Sequence, residues 1–295
     1  MDRHIKSVIY RIEYILFLFF KFIIIKSPNS LKTKFINFIS KLLYIVLKKY
    51  RVIVKKNLQI AFGDEFAQDN YKKFTISCIK NLLENMVIII ENIDRTPEDI
   101  EKIATFKNRE VVDNLLKEGK SIIFSSAHFW HWEMLGAIMG SYTKKANGVV
   151  EELKNGYLDK ILKESRKKFG INSIPMRGAL RELIRVIRRN EHIFILMDQA
   201  VNRGYGVELP FFGTTAIHSE TNSYLSKKYN IPIVQTYLKI DNEKYVVEFE
   251  EPIWADEVEN ATLEELKIVE KRVRENPQKW LWCHRRWKNL GDIYK

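Results

Sequence analysis

The sequence predicts an α/β protein with a mixed, largely parallel central sheet flanked by helices and a helical membrane-anchoring N-terminal extension. Three observations lead there. From Ser121 onward, short β-branched runs alternate with polar stretches at helical spacing, the pattern of a sheet built from strand and helix units. Residues 51–106 carry apolar side chains at helical intervals instead. Residues 8–25, VIYRIEYILFLFFKFIII, are intensely apolar and interrupted only by Arg11, Glu13 and Lys21. The expected organisation is a membrane-anchoring helical segment at residues 1–50 and one catalytic domain at residues 51–295, with no repeat, low-complexity tract or Pro/Gly/Ser-rich linker between them.

In chain order, residues 8–25 come first. A spanning helix needs roughly 20 apolar residues with few charges, and the uninterrupted part here is shorter. KSPNSLKTK at 26–34 follows in place of a small-residue cleavage site, so an uncleaved anchor is expected. Residues 31–50, LKTKFINFISKLLYIVLKKY, pair an apolar face with a lysine border. That suits the head-group boundary of an anionic bilayer and would equally make an ordinary amphipathic core helix. Residues 71–90 read as a helix, and Thr96-Pro97-Glu98-Asp99 as a cap with proline at the first helical position. Strands are expected at 121–127, 172–176, 192–198, 231–240 and 245–253, with a hairpin around Asp241-Asn242 joining the last two. Helices are expected at 132–139, 156–169, 179–190 and 219–229, and Thr262-Leu-Glu-Glu265 offers a capping box for the final long one.

With 295 residues, 46% of them hydrophobic, the chain can bury a sizeable core. Its 49 basic against 37 acidic residues, a net charge of +12, favour anionic partners: nucleic acid, anionic lipid, phosphorylated sugar or acidic protein. The basic residues are scattered among apolar, membrane-like segments and no nucleic-acid motif is present, so nucleic acid is not an expected partner. Cys78 and Cys283 are the only cysteines, too few for a disulfide framework or a thiolate zinc cluster.

Chemistry concentrates in SAHFWHWE, residues 126–133. Catalytic groups of α/β folds gather beyond the carboxyl ends of the strands, and His128 falls where an expected strand runs out. Glu133, in the first turn of the next helix, is expected to reach back to the imidazole, fixing its tautomer and steadying the imidazolium as a general base requires. No G-x-S-x-G elbow exposes Ser125 or Ser126, so a substrate hydroxyl attacking directly, with His128 taking its proton, is favoured over an acyl-enzyme. His131 is a weaker candidate, suited to stacking or the surface. The order is not H-E-x-x-H and no second cluster has ligand spacing, so no metal site and no cofactor is expected. A metal-dependent hydrolase and a non-catalytic membrane module stay as alternatives.

SAHFWHWE resembles the H-x4-D/E block of the glycerolipid-type acyltransferase superfamily, in the H-F-x-x-W-E form of the lipid A biosynthesis (late, lauroyl/myristoyl type) acyltransferases. RVIVKKNLQIAFGD at 51–64, Arg166 with Gly170 in SRKKFG, MRGALRELIRVIRRNE at 176–191, Asp198-Gln199, GVELPFFG at 206–213 and WLWCHRRWK at 280–288 are similar to later and earlier family segments, in order. The resemblance implies an enzyme on the cytoplasmic face of the inner membrane that moves a fatty acyl group from acyl carrier protein to a hydroxyl of a Kdo-bearing lipid A precursor. Anionic inner-membrane lipids would be its surroundings. On this sequence it implies His128 as general base with Glu133 as its partner. Arg177 and Arg181 would meet developing charge or a phosphate, Asp198 would orient a sugar hydroxyl or the arginines, and Arg285 and Arg286 would meet a phosphate at the membrane interface. Trp130 and His131 inside the block, Val150-Glu151 before LKN, and His218 and Glu220 after FFG depart from the family pattern. They bear on the particular acyl chain and on the acceptor, where another glycolipid or an aminolipid is the alternative.

Overall fold

The computed structural model describes residues 3–63, 66, 70–242 and 244–294. Four helices open the chain: α1 (Arg3–Lys26), α2 (Asn29–Val46), α3 (Lys48–Phe62) and α4 (Tyr71–Asn92). After α5 (Pro97–Ile103), strands and helices alternate as β1 (Ala104–Lys107), α6 (Arg109–Lys117), β2 (Ile123–Ser126), α7 (Trp132–Thr143), β3 (Ala146–Val150), α8 (Gly156–Lys168), β4 (Ile171–Pro175), α9 (Ala179–Arg188) and β5 (His192–Leu196). A hairpin of β6 (Val207–Phe211) and β7 (Thr214–His218) precedes α10 (Thr221–Tyr229), β8 (Ile233–Asp241), β9 (Lys244–Phe249) and α11 (Val258–Glu275).

Seven strands form one sheet in the order β1-β9-β8-β2-β5-β3-β4. Strands β8, β2, β5, β3 and β4 are parallel neighbours. β9 runs antiparallel to β8, pairing Asp241 with Lys244 at the expected hairpin, and β1 follows β9 in parallel. The central strand β2 is buried on both faces, as a strand between two helical layers must be. Ile123 joins Leu183, Val186 and Leu225 from α9 and α10 on one side. Phe124 joins Met134, Leu135 and Ile138 of α7 on the other. A third apolar cluster ties α3 to the end of the chain, where Val54 and Leu58 pack with Trp280, Trp282 and Trp287.

The Thr96 cap is present and is a full capping box, Thr96 accepting from the Asp99 amide and Asp99 from the Thr96 amide. The box expected at Thr262 is corrected. α11 already begins at Val258, so Thr262 lies inside it and donates to the Val258 carbonyl, while Glu265 is buried beneath the sheet. There its carboxylate accepts from Ser125, Asn222 and Gln235, and burial raises its pKa. Strands β1, β3, β6 and β7 were not expected.

α1 and α2 pack on the rest of the fold rather than standing apart. Asn155 donates to the Tyr10 carbonyl and to Glu13, Lys21 pairs with Asp94, and Lys32 pairs with Glu91. Their outer face stays apolar and exposed, including Ile15, Phe19 and Phe22 on α1 and Phe35, Phe38 and Ile45 on α2. Among the described residues, no helix is long and apolar enough to cross a membrane.

Candidate active site

Parallel pairing sets the site. β2 and β5 are aligned with Ser126 opposite Leu196, so His128 and Asp198, each two residues further on, emerge side by side at the carboxyl edge. Asp198 is 3% exposed and both of its oxygens are engaged. Oδ1 accepts from the His128 backbone N–H (3.0 Å) and from its Nδ1 (2.8 Å), and Oδ2 accepts from Trp280 Nε1 (2.7 Å). Burial alone would push this carboxyl up; the adjacent His128 ring and these hydrogen bonds outweigh it and hold the pKa at about 2. An ionised Asp198 fixes the proton on Nδ1 and leaves Nε2 as the free base, facing the Gln199 amide at 3.2 Å.

The loop carrying His128 is clamped from the far end of the chain. Leu281 N–H donates to the His128 carbonyl, Trp130 N–H donates to the Lys279 carbonyl, and Phe129 bridges Trp280. Trp130 sits at φ 51°, a left-handed conformation rare for a bulky residue, with its carbonyl held by Asn85 Nδ2 at 2.5 Å. This turn lets the chain enter α7 immediately, so that His128 and Glu133 line one cavity.

That cavity has a volume of about 1000 Å³. One arm is apolar, walled by Gly136 and Ala137 of α7, Gly148 of β3, Ile171 of β4, and Phe194 of β5. Neither Gly136 nor Gly148 is forced to be glycine by crowding: an added Cβ would meet nothing nearer than 3.6 Å and 3.5 Å respectively. The other end is polar, with Gln199, Asn202, Tyr205, Ser219, Thr221 and Lys288 on its wall.

The expected pairing of Glu133 with His128 is corrected. α7 directs Glu133 toward α8, where its oxygens lie 3.2 and 3.4 Å from Arg166 Nη2, and the imidazole takes Asp198 instead. Asp198, expected to orient a sugar hydroxyl or arginines, stands behind His128 with no oxygen free for either. Arg286 is 1% exposed, donates to the Ile217 carbonyl and contacts the His218 ring, out of reach of a membrane-surface phosphate. Burial, offset in part by Asp198, lowers its pKa to about 10, and burial followed by the Arg286 charge lowers that of His218 to about 3. Arg285 is exposed with its guanidinium over the Tyr294 ring. Arg177 and Arg181 are exposed beside Met176 and Leu180, which line the cavity mouth. His131 is buried away from the cavity, near Glu84 and Tyr245. Among the described residues, no three His, Cys, Asp or Glu side chains converge to hold a metal.

The sequence pattern does not mark Arg166, Gln199, Trp280 and Lys288 individually as site residues, although each falls inside a family-like segment. Their signal was order along the chain, and only strand register and the returning C-terminal segment bring them together.

A family model described as bacterial lipid A biosynthesis acyltransferase matches residues 1–289. The chain belongs to that family. It is an acyltransferase, and its reaction class is acyl transfer in lipid A biosynthesis. It is 21% identical over 236 residues to lipid A biosynthesis acyltransferase 2 of Shigella flexneri, covering 77% of this chain and 74% of that one. It is 21% identical over 259 residues to the lipid A biosynthesis palmitoleoyltransferase of Escherichia coli K12, covering 82% and 80%. A lipid A biosynthesis acyltransferase of Haemophilus influenzae is 25% identical over 249 residues, covering 81% and 78%.

Proposed function

We propose that this acyltransferase moves a fatty acyl chain from an acyl carrier protein thioester to a hydroxyl of a Kdo-bearing lipid A precursor, working on the cytoplasmic face of the inner membrane. The observation that carries the reading is a cavity of about 1000 Å³ with an apolar arm, lined also by His128, whose Nε2 is covered only by the Gln199 amide. A fatty chain fills the apolar arm, and its thioester carbonyl lies at the imidazole. The acceptor hydroxyl displaces the Gln199 amide from Nε2, gives its proton to that nitrogen and attacks the carbonyl carbon. Asp198 stabilises the imidazolium through Nδ1–H. The displaced Gln199 amide and the Arg166 guanidinium supply donors for the oxyanion, with Glu133 holding Arg166 in place. Collapse breaks the C–S bond, and the imidazolium returns its proton to the departing thiolate.

In this reading residues 1–50 are the membrane-anchoring segment and residues 51–295 the acyltransferase domain. α1 spans ~36 Å at 1.5 Å per residue but carries Arg11, Glu13 and Lys21, so it lies in the interface plane, its apolar face toward anionic inner-membrane lipids. The exposed Arg177 and Arg181 meet the acidic carrier protein at the cavity mouth. The test is release of carrier thiol, followed with a thiol reagent, with and without acceptor. Acceptor-dependent release lost in His128→Ala is expected. Equal release without acceptor, or chelator-sensitive loss of acyl groups from the lipid, would replace transfer by hydrolysis, and transfer only to another glycolipid or an aminolipid would change the acceptor.

A further inference from the structure

We infer that the polar end of the cavity is an anion subsite, built on Lys288, that takes a phosphate ester of a substrate; the inference rests on the acyl-transfer reading for which substrate that is. Two cations lie on the cavity wall among the described residues, Arg166 and Lys288. Arg166 is neutralised by Glu133 at 3.2 Å. Lys288 Nζ has a neutral partner, the Asn202 side-chain oxygen at 2.9 Å; among the described residues no carboxylate pairs with it, so its charge is uncompensated there and two of its three donors remain for a ligand. With that oxygen turned to Lys288, the Asn202 NH₂ is a further donor. The hydroxyls of Ser219 and Thr221, 3.0 Å from each other, also line the cavity.

The subsite is fixed in place. Lys288 opens a short 3-10 turn, Lys288–Leu290, and Asn289 Nδ2 in the same turn donates to the Val201 carbonyl at 3.2 Å. The C-terminal turn therefore grips the 201–202 segment twice, and that segment begins two residues after Gln199. Three residues of extended chain span at most about 10 Å, so a phosphate held here lies within reach of the same molecule that reacts at His128. This is the role the basic and aromatic block near the chain end was expected to fill with Arg285 and Arg286. Arg286 turns into the core and Arg285 onto Tyr294, and the lysine two residues beyond Arg286 faces the cavity. Uncompensated cation, amide and hydroxyls together fit a phosphate better than a neutral sugar or a thioester carbonyl.

Phosphate comes from two sources here: the prosthetic arm of the donor, or the sugar of the acceptor. Saturation-transfer NMR on the full chain compares 4′-phosphopantetheine with pantetheine, and glucosamine 1-phosphate with glucosamine, for the wild type, Lys288→Gln and Lys288→Arg. One phosphorylated probe is expected to bind while its unphosphorylated partner does not, with Lys288→Gln losing that binding about ten- to a hundredfold and Lys288→Arg keeping most of it. Binding of phosphopantetheine identifies the donor arm, and binding of glucosamine 1-phosphate the acceptor. In steady-state acyl transfer the same variant is expected to raise KM for that substrate alone, with kcat changed far less. Equal binding with and without the phosphate, or unchanged binding and KM in Lys288→Gln at an unchanged melting temperature, overturns the subsite. If the wild type transfers no acyl group yet binds a phosphate probe through Lys288, the acyl-transfer reading falls and the subsite stands.

Discussion

Replacing Asp198 by Asn separates the role of Asp198 from that of Glu133. Asp198 takes three N–H groups, two on Oδ1 and one on Oδ2, and an amide cannot accept on both sides. With its oxygen toward His128, the Asn NH₂ faces the Trp280 N–H, leaving two buried donors opposed at a cost of about 1–3 kcal/mol. With the amide reversed, NH₂ meets Nδ1, pulls the ring into the other tautomer and places a hydrogen on the nitrogen that must act as base. A further loss comes from charge. A carboxyl at about 2 in the fold against ~3.9 in the unfolded chain is worth about 2–3 kcal/mol, present above pH 4 and lost as pH falls through 2. Asp198→Asn is therefore expected to lower kcat by about 10³- to 10⁴-fold, the range for a mis-set tautomer, with a lowered melting temperature. ¹⁵N spectra of histidine-labelled protein report the tautomer directly. The wild type and Glu133→Gln should both show His128 protonated on Nδ1, and Asp198→Asn should not. Glu133→Gln should still lose activity, through a displaced Arg166. Wild-type turnover in Asp198→Asn, or a changed tautomer in Glu133→Gln, would refute the assignment of Asp198 as the partner of the base.

Gly136→Ala and Gly140→Ala should diverge. The first adds a methyl to the apolar arm in ordinary contact with Ile171, shifting preference toward shorter acyl chains by ~1–3 kcal/mol in a competition between thioesters. The second drives a Cβ to 2.4 Å from the Phe169 carbonyl oxygen and should cost about 1–3 kcal/mol or more in denaturant unfolding. Burial holds His192 and His284 down at about 4 and His218 at about 3, so the fold keeps them neutral while the unfolded chain protonates them below about pH 6.5. Stability should fall as pH drops from 6.5 toward 4, by up to roughly 1.4 kcal/mol per pH unit for each; equal unfolding free energies at pH 7 and pH 5 would contradict this. Ile15 and Phe22, 64% and 63% exposed on α1, should lie in lipid, so Ile15→Glu with Phe22→Glu should weaken co-sedimentation with anionic vesicles at least tenfold. Unchanged sedimentation would remove α1 from the membrane face.

The sequence was most readable where one residue type repeats along one face. The β-branched runs of β2, β5 and β8 announce themselves, whereas β3 contains Asn147-Gly148 and becomes a strand through its neighbours on both sides. β1 is four residues at the sheet edge, too short for a pattern. His128 was legible because a strand ends there. Its partner was not, because the choice between Glu133 and Asp198 depends on the register of β2 against β5 and on the direction in which the first turn of α7 points. The fate of Arg286 is likewise invisible in a basic stretch: only the packed fold shows it turned inward against His218 while Lys288 faces the cavity.

The central claim is acyl transfer from a thioester by His128 acting as base. Mass spectrometry of the lipid after incubating wild type or His128→Ala with acyl carrier protein thioesters and a tetraacylated, Kdo-bearing lipid A precursor tests it most directly. A gain of one acyl group is expected with wild type and none with His128→Ala. An equal gain with both proteins, or no gain with any thioester, would contradict it.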